Sequence, residues 1–178
     1  MKKNPSTGHV FSRGCVLFGK SLKTNKMKQR ISFRETPKGF LDGLMKISAF
    51  IGSSNLDPKL LHMLEYRVSQ INGCAFCLDM HHKDAIHAGE TEQRLHGLPA
   101  WRESPWYSEP ERAALQFAEA LTTRCETDDA TYEALTQHFT NEQIATLALT
   151  VATINSWNRL NCTFLSTPGT YKVNDAAA

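Results

Sequence analysis

Apolar residues recur along this chain at three- and four-residue intervals, interrupted by capping and turn residues, which is the period of helices packed through one face. Phe40, Leu41, Leu44, Ile47 and Phe50 define the first such face after Pro37, and Gly52-Ser53-Ser54-Asn55 ends it. Asp57-Pro58 pairs a capping side chain with proline at the first helical position. The helix it opens carries Leu60, Leu61, Leu64, Val68 and Ile71, and Asn72-Gly73 breaks it. A helix restarts at Cys74 and runs to Gly89, a residue suited to the position after a helix end. Thr91 to His96 predicts a short helical turn, followed by an irregular stretch from Gly97 to Tyr107. Ser108-x-x-Glu111 forms a capping box for a helix presenting Ala114, Leu115, Phe117, Ala118 and Leu121. Asp128-Asp129 introduces a segment through Leu135 to Phe139. A second capping box, Thr140-x-x-Gln143, starts a long helix from Asn141 to about Leu160. Ile144, Leu147, Ala148, Val151, Ile154 and Trp157 make that helix apolar over most of its circumference, so it is buried inside the domain or against another subunit. Strand signals are scarce, and the expected fold class is all-α.

Length and composition fit this picture and narrow it. At 178 residues, 41% of them hydrophobic, the chain suits one domain with a true core plus a tail. No apolar run approaches the ~18 residues of a membrane-spanning helix. The net charge of +2 conceals an asymmetry: residues 1–34 hold nine basic residues and no acidic one, leaving eleven basic against eighteen acidic in the remainder, a net −7. Residues 1–26 are read as a basic, disordered N-terminal extension, with Met27 a second plausible start, and 27–178 as the folded domain. No role in binding nucleic acid or membrane is assigned to this tail. The five cysteines are too few and too scattered for a secreted disulfide scaffold, and no export signal is visible, so a reducing cytoplasm is the expected setting. Cys125 and Cys162 are expected as ordinary buried or half-buried thiols.

Chemistry concentrates at Cys74-Ala75-Phe76-Cys77 and His81. On a helix of about 3.6 residues per turn, Cys77 and His81 stand one above the other and Cys74 lies close to the same face. A thiol at a helix N-terminus near an imidazole has a lowered pKa, and the thiolate is the reactive species. The residues alone leave three readings: a redox dithiol, part of a zinc site, and two incidental cysteines. Zinc needs four ligands; Cys74, Cys77 and His81 supply three, with His82, His87 or His62 as the fourth, but ligands on one continuous helix close a tetrahedron awkwardly. The incidental reading leaves the Cys77/His81 stacking unexplained. His82 and His87 are expected on the surface or in packing roles.

The segment LEYRVSQINGCAFCLDMHHKDAIHAG, Leu64 to Gly89, closely resembles the core motif of the AhpD-like alkylhydroperoxidase group within the carboxymuconolactone decarboxylase family. The resemblance continues through LPAWRESPWYSEPERAALQFAEALT (Leu98 to Thr122) and INSWNRL (Ile154 to Leu160). It implies an all-helical bundle assembled as a homo-oligomer, a trimer or hexamer, with the dithiol in a pocket near a subunit interface. It further implies a thiol-dependent peroxidase: Cys77 as the peroxidatic thiolate, Cys74 as the resolving thiol and His81 in a proton relay, with no metal or flavin cofactor. Its substrate is then a hydroperoxide and its reductant a dithiol, a lipoylated protein in the best-known relatives. The family's relay glutamate, twelve residues before the first cysteine, is His62 here. Glu65, one turn later, is expected as a solvated helix residue, so the relay is either rebuilt around His62 or weakened. Phe76, Leu78, Trp101 and Trp106 are candidate apolar walls of the pocket. Two rival functions remain at this stage: a thiol–disulfide oxidoreductase or redox sensor, and a non-catalytic zinc-binding or structural oligomer.

Overall fold

The computed structural model describes residues 28–173; the basic extension falls outside them. Among the described residues there are seven α-helices and no strand: α1 Asp42–Gly52, α2 Pro58–Asn72, α3 Ala75–His87, α4 Glu92–Gly97, α5 Glu109–Arg124, α6 Asp129–Thr136 and α7 Asn141–Phe164. Short 3-10 turns at Phe33–Glu35 and Leu98–Ala100 complete the order. No helix among them is long and apolar enough to cross a membrane.

The helix starts follow the capping chemistry of the sequence. Asp57 accepts from the Lys59 N–H with Pro58 at the first position, and both Ser108/Glu111 and Thr140/Gln143 form reciprocal capping boxes, each of which satisfies amide donors that a helix N-terminus otherwise leaves bare. α7 runs one turn beyond its predicted end, to Phe164.

α2 is the centre of the bundle. It packs on α3, α5 and α7 through Leu60, Leu61, Met63, Leu64 and Val68, which join Leu115, Leu147, Val151 and Ile154 in one core. Tight packing of such side chains supplies the main favourable energy of the fold.

The face predicted for α1 is only partly buried in the protomer. Its middle residues Leu41, Leu44 and Ile47 are half-buried, Ile47 against the core, but its ends Phe40 and Phe50 are 43% and 59% exposed, as is Met45 beside them at 57%. The helical period marks which residues share a face, but it does not reveal what that face packs against.

A polar seam crosses the core where α2 ends. Asn158 on α7 donates to the Ser69 hydroxyl at 3.0 Å, and Asn72 donates to Asn158 and Asn155 at 2.8 and 3.0 Å. Ser69 and Asn158 are 0% and 1% exposed, so these groups have exchanged water for each other. Truncating one partner strands the rest. Asn158→Ala is therefore expected to cost about 1–3 kcal/mol, read as a lower urea midpoint at unchanged slope. A midpoint equal to that of the parent protein would show that the seam contributes nothing.

Candidate active site

The seam matters because it holds the corner from which the dithiol hangs. Gly73 closes α2 in the left-handed conformation (φ 66°), which glycine adopts without the steric cost of a side chain. The Cys74 N–H then returns to the Ser69 carbonyl at 3.1 Å, so the chain turns sharply and α3 starts at once. Cys74 is the N-cap of α3, its sulfur accepting from the Cys77 N–H at 3.4 Å.

Cys74 and Cys77 are joined as a disulfide with Cα atoms 5.3 Å apart, and they are 1% and 0% exposed. Both sulfurs sit at the positive end of the α3 dipole, where a thiolate is favoured once the bond is opened. His81 lies one turn along α3 on the same inward side, 5% exposed.

Around His81 the structure adds residues from three places. Nδ1 of His62 and Nδ1 of His81 each lie 3.1 Å from Oε2 of Glu65. Glu65 is thus inserted between the two rings, whose centroids are 6.3 Å apart. This corrects the expectation of a solvated Glu65: three residues beyond His62 on α2, it turns toward α3, while His62 reaches His81 through it. Burial by itself pushes the Glu65 carboxyl up. The His81 charge and the hydrogen bonds and charge from the two histidines outweigh this, holding it at about 2. Burial also works against protonation of His62, yet its hydrogen bond to Glu65 and the charges of Glu65 and Asp84 leave its pKa raised.

The third contribution is a C-terminal strap. The Tyr171 hydroxyl donates to Asp84 Oδ1 at 2.7 Å, Lys83 Nζ donates to the Tyr171 carbonyl at 3.0 Å, and the Gly169 N–H donates to Asp79 at 2.9 Å. Burial, the hydrogen bond to Asp84 and the charges of Asp84 and Glu65 push the Tyr171 phenol well above its ordinary value. One ligand-type atom from each of His62, His81 and Asp84 lies within 4.8 Å of the others. The zinc set drawn from the sequence, with two thiolates, is unavailable while the cysteines are bonded to each other.

A cleft of about 360 Å³ opens beside Phe76, the residue before Cys77, and is lined also by Phe33, Gln29, Ser166, Thr167 and Thr170. Of the four predicted wall residues only Phe76 lines it. Trp101 is instead a core residue, its indole N–H donating to Glu119 at 3.1 Å with Arg102 stacked on its face. Trp106 is 41% exposed, and Leu78 is half-buried elsewhere. Cys125 and Cys162 are both exposed free thiols, against the expectation of burial. His82 meets Glu92 at the surface (2.8 Å), and His87 is exposed, as surface histidines would be.

Tyr171, Asp84 and the asparagine seam are site features without a marked sequence motif. Asp84 was legible in principle, three residues after His81 on the same helix. Tyr171 is separated from α3 by the whole length of the domain and leaves no local signal.

The pattern of the carboxymuconolactone decarboxylase family matches residues 35–120, which include the dithiol and His81. The uncharacterized protein YdfG of Bacillus subtilis is 39% identical over 137 residues, 76% of this chain and 93% of its own. YnjA of Escherichia coli, also uncharacterized, is 31% identical over 121 residues, 65% of this chain and 66% of its own. Among solved structures, Agrobacterium tumefaciens Atu0492 is described as a protein of unknown function and a candidate antioxidant defence protein AhpD. It superposes with a TM-score of 0.75 at 38% identity, covering 81% of this chain and all of its own.

Proposed function

Because the chain belongs to the carboxymuconolactone decarboxylase family, as an AhpD-like member of it, we propose that it is a thiol-dependent peroxidase cycling between the Cys74/Cys77 dithiol and its disulfide. The observation that carries this reading is the buried Cys74–Cys77 pair at the start of α3, one turn from a buried His81 backed by Glu65.

In the reduced protein His81 accepts the Cys77 proton, and Glu65 stabilises the imidazolium that results, as a carboxylate does for a catalytic histidine elsewhere. The Cys77 thiolate attacks one oxygen of a hydroperoxide. The O–O bond breaks, Cys77 becomes a sulfenic acid, and the departing alkoxide takes the proton from His81 to leave as an alcohol. Cys74 then attacks the sulfenic sulfur, water leaves, and the disulfide closes. A dithiol reductant, a lipoylated protein by analogy with relatives, reopens it by exchange and carries away the two electrons.

The exposed Phe40, Met45 and Phe50 support assembly as a homo-oligomer, since an apolar patch marks an association surface; a trimer or hexamer is the size that the resemblance implies.

The competing reading is a thiol–disulfide oxidoreductase in which peroxide is incidental. Stopped-flow oxidation of the reduced, chelator-treated protein by an organic hydroperoxide separates the two. The peroxidase reading expects a second-order rate at least about 10²-fold above that of a free thiol, the contribution typical of positioned acid–base catalysis. A rate equal to the free thiol's favours the competitor.

A further inference from the structure

We propose that His62, His81 and Asp84 form a binding site for a divalent transition-metal ion of the zinc class, and that the ion, when bound, occupies the base needed for thiol chemistry. One donor atom from each of the three residues already lies within 4.8 Å of the others. Ligands of a tetrahedral zinc at about 2.0–2.2 Å sit roughly 3.4 Å apart, so assembly asks for a closure of little more than 1 Å, roughly, at the limit of that spacing. The His62 side chain is 30% exposed and its ring is tied to Glu65 through Nδ1 at 3.1 Å, a single contact about which the ring can turn by that distance.

Two further features point to a ligand. Nε2 of His81 has no hydrogen-bond partner among the described residues, although the residue is only 5% exposed, and Nδ1 faces Glu65. A buried imidazole left in this state has uncompensated polar capacity, which a metal ion satisfies. Glu65 also stands at 3.1 Å from Nδ1 of both rings. A carboxylate on one ring nitrogen favours the proton there and leaves the other nitrogen's lone pair for a metal, an arrangement that recurs behind metal-ligating histidines. Tyr171 holds Asp84 in the same way, donating to Oδ1 at 2.7 Å. Glu65 and Asp84 together supply two negative charges against which a divalent cation is neutralised. Soft thiolates take no part, so the site differs from one built on the cysteine pair and survives when those cysteines are oxidised.

The blocking consequence rests on the peroxidase reading, whereas binding itself does not. The test is therefore titration calorimetry of Zn²⁺ into the full chain in its disulfide form, where Cys74 and Cys77 cannot ligate. One site is expected, weakened at least about tenfold in His62→Ala and in Asp84→Asn, and about 10–100-fold in Glu65→Gln, the usual effect of removing the group behind a ligating histidine. A Cys74→Ser/Cys77→Ser double variant is expected to bind as tightly as the parent, and helical circular dichroism establishes that each variant is folded. Absence of binding to the disulfide form overturns the proposal. So does undiminished binding in both His62→Ala and Asp84→Asn, which would move the ion to the surface set of His82, Glu92 and His96. Peroxide oxidation of chelator-treated protein is measured without the ion, so the enzymatic reading fails or stands independently.

Discussion

Replacing Cys77 by serine is expected to reduce peroxide turnover to the level seen without protein, while replacing Cys74 leaves one peroxide consumed per chain. The difference follows from which sulfur becomes the electrophile. A serine hydroxyl at 77 is not ionised near neutral pH and cannot displace the peroxide oxygen. In Cys74→Ser the Cys77 thiolate still forms under His81, still attacks, and stops as a sulfenic acid because no thiol is within reach to resolve it. A sulfenic-acid-specific trapping reagent, followed by mass spectrometry of the peptide, distinguishes the two variants. Cys125 and Cys162 are exposed and are replaced by serine in every protein compared, so that neither acts as a substitute resolving thiol. Equal turnover in the two variants would reject the division of roles.

Glu65→Gln is the second large effect. The charged carboxylate is what stabilises an imidazolium at His81, and an amide of the same shape removes the charge while keeping the volume. The rate of Cys77 oxidation is expected to fall by about 10²-fold at neutral pH, the scale of acid–base assistance. Its rise with pH should move upward, toward the titration range of an ordinary thiol near 8.5. His62→Ala, which removes a group one step further from the thiol, is expected to cost less. The parent protein should show no loss from Glu65 above about pH 3, since its carboxyl is held at about 2.

Stability carries a matching signature. A carboxyl whose folded pKa lies below its unfolded value stabilises the fold above the unfolded pKa, and that contribution disappears as pH falls from about 4.5 toward 2. Because the folded pKa of His62 is raised, its contribution is complete below about 6.5 and is lost as pH rises through the folded value. The acid limb should therefore flatten in Glu65→Gln, measured by thermal unfolding between pH 2 and 5. An unchanged pH–rate curve together with an unchanged acid limb would remove Glu65 from the relay.

The helical content and the order of the helices were readable in the sequence because both rest on local physics: period, caps, and breakers such as Asn72-Gly73. The Cys77/His81 juxtaposition was readable for the same reason, being a one-turn relation on a single helix. Glu65 departs from its expected exposure because burial is set by where α2 lies against α3, a tertiary relation that the pattern within α2 does not contain. His62 occupies the position at which the resemblance places a glutamate, yet the carboxylate that touches His81 comes from three residues later, one turn along the helix. The same limit explains α1 and Trp101. Phe40, in the turn before α1, and Phe50, on α1, are left exposed by the protomer, and Trp101 turns its indole N–H to Glu119 on α5 instead of into the cleft. Tyr171 meets α3 only because the chain folds back over the whole domain, and no window of sequence reports such a return.

The most direct measurement is the mass of the reduced protein after one equivalent of cumene hydroperoxide, followed by exposure to dihydrolipoamide. The account predicts a chain lighter by two hydrogens, with Cys74 and Cys77 linked in one peptide, and full recovery of the dithiol on treatment with the reductant. A chain that stays reduced, or one that gains oxygen at Cys125 or Cys162 while the Cys74/Cys77 pair remains untouched, would contradict it.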